Sequence, residues 1–321
     1  MSFNDNLQLL NSRDIEGRFY ELLETRETPM WVDNISWRVD TMKEEEIYRF
    51  LGFGPRMTEF QGRREAEKPP AAEIRVRNKI FSASMFFGKD ERRRDLTGQI
   101  DIRVNELADE PNNHLEEYFT SAIENGGVTS SEFGAAYDTK AFFANDHEWE
   151  DSGTQDNLLG FAAATGTAPT AAEFKTLVMQ AIQAMKGFKD NKGRPINRGM
   201  RAVEVVIPTV MWSAALEAFS SDVLYDGSAP VTNTLKAVQS AGTSITLVEN
   251  AWATSDVNVY TFRTDGRLAP FIWQTEVEPE ISSLDESSDH YHDHRETVHT
   301  VEGIYGLGYG RWEYATKTVV T

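Results

Sequence analysis

The sequence predicts an α+β fold, and three observations carry that prediction. Strand-like and helix-like segments are mixed without strict alternation. A charged, two-limbed strand pattern around Pro69-Pro70 is too long to be stable as an isolated hairpin. The helical pattern that follows, Asp90 to Asn125, is long enough to be a backbone on which other parts hang. The 321 residues suffice for one large or two ordinary domains with a real core.

Residues 1–30 read as an arm, with an amphipathic helix over Asn11–Thr25 that gathers Ile15, Phe19, Leu22 and Leu23 on one side. Trp31–Val39 alternates and reads as a strand. Lys43–Leu51 suits a short helix stopped by Gly52-Phe53-Gly54-Pro55. Met57–Phe87 reads as a long β-hairpin. One limb is MTEFQGRREAEK. Pro69-Pro70 marks the bend, because proline donates no ladder bond. The other limb, AEIRVRNKIFSASMFF, sets Ile74, Val76, Asn78, Ile80 and Ser82 against Arg75, Arg77, Lys79 and Phe81.

In the helix from Asp90 to Asn125, Leu96, Ile100, Val104, Leu107, Leu115, Phe119, Ala122 and Ile123 fall at helical spacing. Pro111 should kink or divide it, and Gly126-Gly127 closes it. Val128–Asn157 is loop and short strand. Thr170 caps a helix with Phe174, Leu177, Val178, Ala181, Ile182 and Met185 on one face, ended by Gly187. Ala202–Ile207 is a buried strand, and a helix follows over Thr209–Phe219. Further strands are Thr243–Glu249, Val257–Arg263 and Phe271–Gln274, with strand signals again between Glu296 and Thr321.

Composition narrows the function. There is no run of eighteen apolar residues to span a membrane and no basic start followed by an apolar core to direct secretion. Cysteine is absent, which removes disulfides, thiolate catalysis and cysteine metal sites and fits assembly inside the cell. The 51 acids outnumber the 32 bases by 19, so the chain as a whole repels nucleic acid. The charge is segregated: Arg56–Arg94 is basic and Glu276–Asp293 is acidic. That separation suits contacts between copies of one protein, with Arg63, Arg64, Arg75 and Arg77 of one copy meeting acids of the next.

Few residues point to chemistry. His290, His292 and His294 would share one face of a strand and could hold zinc or nickel. A metal-dependent hydrolase built on them is therefore the alternative function. No distant ligand completes a tetrahedral shell, so a polar or inter-subunit strand is the plainer reading. His147 has no serine or second base marked as its partner, and there is no G-x-S-x-G elbow. The glycine-rich run Gly306–Gly310 alternates with Tyr305 and Tyr309 and reads as strands passing close to another backbone rather than a dinucleotide loop. Ile47–Arg64, aromatic and punctuated by Gly and Pro, is built for contact. Trp31, Trp37 and Phe60 lie where little local core exists and are read as inter-subunit anchors, and Phe60, Phe81, Phe86 and Phe87 are expected to contribute more than the arginines.

Several blocks, in order, resemble the major head subunit family of phage Mu and Mu-like prophages: WVDNISWRVDT, EEIYRFLGFGPRMTEFQGRR, IRVRNKIFSASMFFGKDERRRDLTGQI, KAFFANDHEWEDSGTQDNLL and GIYGLGYGRWEYA. They span nearly the whole chain. Two departures are Phe60, where the family pattern has tryptophan, and HYHDH, which has no counterpart in it. The resemblance implies the tailed-phage capsid fold of the Hong Kong 97 type. It implies an N-terminal arm (1–56), an extended hairpin loop (57–88), a peripheral domain with a spine helix (89–164), an axial domain (165–285) and a C-terminal return to the peripheral domain (286–321). It further implies a non-enzymatic subunit that forms hexamers and pentamers of an icosahedral head around double-stranded DNA, without sequence-specific DNA contacts, cofactor or membrane. Scaffold, portal and decoration proteins would be its partners. Residues 1–30 contain no long charged helical prodomain, so a scaffold would be a separate protein. Assembly would take place in the host cytoplasm and the product would be the virion capsid.

Overall fold

The computed structural model describes residues 12–25, 29–52, 57, 59, 62, 68, 70–95, 98–165, 168–226 and 229–321. Two sheets organise it. Strands β1 (Ser36–Asp40), β4 (Lys79–Gly88), β11 (Phe271–Leu284) and β12 (Glu296–Tyr309) form a four-stranded sheet in the order β1-β11-β12-β4, antiparallel except for β1 on β11. Strands β5 (Leu158–Phe161), β6 (Ala202–Pro208), β9 (Ser244–Asn250), β10 (Asn258–Arg263) and β13 (Ala315–Val320) form a mixed sheet in the order β5-β13-β10-β6-β9. A hairpin of β2 (Glu45–Leu51) with β3 (Ala71–Arg77) and a smaller one of β7 (Val223–Asp226) with β8 (Ala229–Thr232) complete the strands.

Helix α1 (Ser12–Thr25) forms as its pattern predicts, with Ile15 and Phe19 fully buried one turn apart. The next segment departs from expectation. Instead of one strand over 31–39, helix α2 (Met30–Ile35) precedes β1. Trp31, Val32 and Ile35 are its buried residues, a helical spacing that the alternation of Trp31, Asp33, Ile35 and Trp37 concealed.

Lys43–Leu51 is not a helix. The run Glu44-Glu45-Glu46 favours helix locally, but the segment pairs with a distant strand. Arg49 meets Glu73 at 2.9 Å, Arg75 meets Glu45 at 3.6 Å and Arg77 meets Glu44, forming a ladder of opposite charges across β2 and β3. Tyr48 and Phe50 turn inward between them. The hairpin limbs are therefore β2 and β3, and the limb MTEFQGRREAEK lies outside the described residues but for Met57, Glu59, Gly62 and Lys68. The other limb breaks at Asn78, whose amide donates to Lys43 O (3.0 Å) and Glu276 Oε2 (3.1 Å) and accepts from Gln274 Nε2 (2.8 Å). Past that point β4 joins β12 instead.

A short helix α3 (Lys89–Arg94) precedes α4 (Gln99–Glu124), which runs unbroken through Pro111. Asp95 accepts the first free amides of α4, from Gln99 (3.1 Å) and Ile100 (2.9 Å). Leu96 lies outside the described residues. Helix α5 (Ala171–Gly187) begins with a capping box, Thr170 accepting from the Glu173 amide while Glu173 accepts from the Thr170 amide. Helices α6 (Trp212–Ser220) and α7 (Thr234–Ser240) accompany it beside the five-stranded sheet, and α8 (Asp289–His294) links β11 to β12. One large core joins both sheets, and a second apolar cluster lies beneath α1.

Candidate assembly surfaces

The glycine run near the C-terminus sets where the β2–β3 hairpin lies. A Cβ at Gly306 would sit 2.5 Å from the carbonyl oxygen of Arg77, and one at Gly308 would collide with Val76. The strand β12 therefore carries β3 in direct backbone contact, as the alternation of glycine predicts. Farther along, Phe50 of β2 enters a socket. Its ring stacks on Tyr137 (5.5 Å), and the Arg311 guanidinium lies over Phe50, Tyr137 and Trp149 at 5.4–5.9 Å. Arg311 also pairs with the buried Glu313 at 3.3 Å, which accepts from the Tyr137 hydroxyl at 2.6 Å.

The residues expected to contact a neighbour differ in their surroundings. Arg75 and Arg77 already pair with Glu45 and Glu44 on their own hairpin, though their side chains remain largely exposed. Phe60, Arg63 and Arg64 lie outside the described residues. Trp31 is buried, packing on Phe119 and donating to Glu116 Oε1 at 3.1 Å, so it anchors α2 to α4 within one chain. Phe87 is fully buried in the cluster under α1. Phe81 is half-buried against His114, Tyr305 and Tyr118 at 4.4–5.1 Å. Of the aromatics, Trp37 (42 % exposed) and Phe86 (60 % exposed) remain at the surface. Neighbouring positions in a strand point to opposite faces, which is why Phe86 and Phe87 part company.

Phe86 belongs to a surface that the sequence reading did not assemble. Strands β4, β12 and β11 turn α4 and α1 one face and leave the other open among the described residues. Its rungs, in register, are Phe86–Val298–Leu284, Ser84–Thr300–Ser282, Ser82–Glu302–Glu280 and Ile80–Ile304–Val277. Ser84 and Thr300 are hydrogen-bonded across the strands at 2.8 Å. Ile80 is 67 % exposed. An apolar rung at each end, hydroxyls between and two glutamates make a flat, mixed face of the kind that packs on another protein. The signal present in the sequence was the series Ile80, Ser82, Ser84, Phe86, whose partners lie more than two hundred residues away.

The histidines do not assemble a metal centre. His290, His292 and His294 lie on α8, not on a strand, because Ser288 caps that turn by accepting from the Tyr291 amide. At helical spacing His290 and His294 stack (4.5 Å, 18°), while His292, two positions on, projects elsewhere. No cluster of three potential ligands occurs among the described residues. His147 is a core residue: it bonds Asp138 at 2.6 Å, lies flat on Trp312 (3.9 Å) and is sealed from solvent.

One buried carboxyl stands out. Glu204, in the middle of β6, is 2 % exposed and its Oε2 has no hydrogen-bond partner. Burial pushes it up from 4.5 to about 7, opposed by a hydrogen bond from Asn34 of α2. Its stabilising contribution is complete below the unfolded-state value and is lost as pH rises through about 7. Glu204→Gln is therefore expected to raise stability at pH 8.5 by about 2 kcal/mol and to change it little at pH 5. Thermal melts across that range check this, and a variant that tracks the parent at every pH refutes it.

The model of the family described as the Mu-like prophage major head subunit gpT matches residues 12–172, half of the chain. Among curated proteins none matches it in sequence. Similar solved structures are shells. The procapsid of bacteriophage JBD30 shares 14 % identity at a TM-score of 0.51, over 95 % of this chain and 72 % of that one. The mature capsid of bacteriophage PhiM1 shares 10 % at 0.59, over 92 % and 88 %. The capsid of cyanophage P-SCSP1u shares 11 % at 0.57, over 92 % and 89 %. At such identities the likeness establishes the fold, the Hong Kong 97 type expected from the sequence. With the matched half and the fold in agreement, the chain belongs to the Mu-like prophage major head subunit family.

Proposed function

We propose that copies of this chain assemble into the hexamers and pentamers of an icosahedral head that encloses double-stranded DNA. The observation that carries this reading is the open face of β4, β12 and β11 in a chain of the head-subunit family. A flat face with exposed apolar ends needs a partner, and a second copy is always available to a shell subunit. No catalytic step is required. Many modest contacts multiplied by avidity do the work.

In this reading α4 and the four-stranded sheet form the peripheral domain, and the five-stranded sheet with α5, α6 and α7 forms the axial domain. The extended loop starts with β2 rather than at residue 57. The C-terminal region serves both domains, β12 the peripheral and β13 the axial. The net charge of −19 supports a wall that tolerates packed DNA without gripping it. A separate scaffold, a portal and decoration proteins are the partners such a head calls for, with assembly in the host cytoplasm.

The test is size-exclusion chromatography with negative-stain electron microscopy of the recombinant chain and of Phe86→Glu. Shells, tubes or capsomer rings are expected from the parent. Phe86→Glu should keep the parent's stability to within about 0.5 kcal/mol, since its site is exposed, and lose assembled material by at least about tenfold. Exposed ion pairs such as Arg75–Glu45 contribute only about 0–1 kcal/mol each, so charge reversal there should matter less. Unchanged assembly by Phe86→Glu would remove the open face from the contact. A parent chain that stays monomeric across salt, pH and added scaffold would remove the shell reading itself.

A further inference from the structure

Beneath α1 lies an apolar cluster separate from the main core. Ile15 and Phe19 of α1 close it against Val104 of α4, and Phe87 and Val301 form its floor. His299, two positions before Val301 on β12 and on the same face, lies buried beside it. Its ring stands edge-on to Phe87 at 5.4 Å, and neither ring nitrogen has a hydrogen-bond partner. Such an imidazole is compatible only with its neutral form, because a buried charge without a partner is strongly disfavoured.

We propose that α1 is an acid-released latch, seated over neutral His299 near neutral pH and driven off when His299 takes up a proton. The carboxylates nearest the ring already hold other partners. From α1 comes Glu16, which already accepts from the Ser283 hydroxyl of β11. From α3 comes Arg92, ion-paired with Glu286 from the segment after β11. β4 presents Phe87 and, opposite His299 in register, Met85. Burial holds His299 below its ordinary 6.5, with Glu16 opposing, Arg92 adding to the depression and Glu286 opposing. With α1 displaced, the imidazole regains water and an ordinary affinity for protons. Docking of α1 is therefore at full strength above about 6.5 and weakens as pH falls through the depressed value.

The inference concerns the unassembled chain and stands apart from the shell reading. The chain has no cysteine, so two can be introduced cleanly. Position 17 on α1 is open, a Cβ there meeting nothing within 4 Å, and Glu106 is exposed on α4. Spin labels at Gly17→Cys and Glu106→Cys report the α1–α4 distance by double electron–electron resonance. A single short distance is expected at about pH 7.5. By about pH 5 the displaced population should rise roughly tenfold for each pKa unit that burial removes. His299→Leu, and His299→Gln should leucine fail to fold, are expected to keep one short distance at both pH values. An unchanged distribution in the parent at pH 5, or an equal shift in the histidine variants, overturns the proposal.

Discussion

Replacing Arg311 by leucine is expected to cost about 3 to 5 kcal/mol, the cost of leaving a buried charge without its partner. The guanidinium and Glu313 are 5 % and 1 % exposed as residues, and the Tyr137 hydroxyl alone cannot compensate a carboxylate there. Three aromatic rings from two distant segments lose their cation at the same time, Phe50 from β2 and Tyr137 and Trp149 from the long loop after α4. In a chain of this size the melting temperature should fall by roughly 5–7 °C. Removing both charges, in Arg311→Leu/Glu313→Leu, should recover at least half of the loss, because a matched apolar pair carries no desolvated charge. Scanning calorimetry of the two variants decides it. A single variant melting within about 2 °C of the parent would mean that the socket does not depend on its charge.

The second large effect is expected at Gly306. In alanine the added carbon lies 2.5 Å from the Arg77 carbonyl oxygen and 3.0 Å from its carbon. Neither is a side chain that can rotate away, so β3 must lift off β12. We expect Gly306→Ala to destabilise by about 3 kcal/mol, at the upper end of overpacking effects, and to speed amide exchange throughout β2 and β3. Gly160→Ala, in β5 with open space at its Cβ, is the control and should stay within about 0.5 kcal/mol of the parent. Equal behaviour of the two variants would sink the account of the glycine run.

How legible each part was depends on where its determinants lie. Helix α5 was readable because its cap and its apolar face are both local: Thr170, Glu173 and the run from Phe174 to Met185. Strand β6 was readable because AVEVVI is apolar on both faces except at Glu204. The β2 segment was misread because its local propensity is helical and its partners Glu73, Arg75 and Arg77 arrive later. Strand β11 was recognised at Phe271–Gln274 but runs on to Leu284, since two register shifts around Val277 carry it past Pro279. The candidate surface was half legible. Of the residues read as contacts, Phe86 is exposed in the single chain, whereas Trp31 and Phe87 are buried within it. Only the sheet register tells Phe86 from Phe87, and that register is set by β12, more than two hundred residues downstream.

The place of β13 has a consequence for how the chain is made. It lies second in the five-stranded sheet, pairing Leu158–Phe161 on one side and Asn258–Val259 onward on the other. During synthesis β5 emerges early and then has no neighbour until residues 317–320 follow, a wait on the order of 10–30 s at ordinary elongation rates. Strand β1 likewise waits for β11. The subunit can thus settle only when nearly all of it has left the ribosome. A chain is therefore expected to complete this sheet, and to be ready to join a shell, only once β13 has been made.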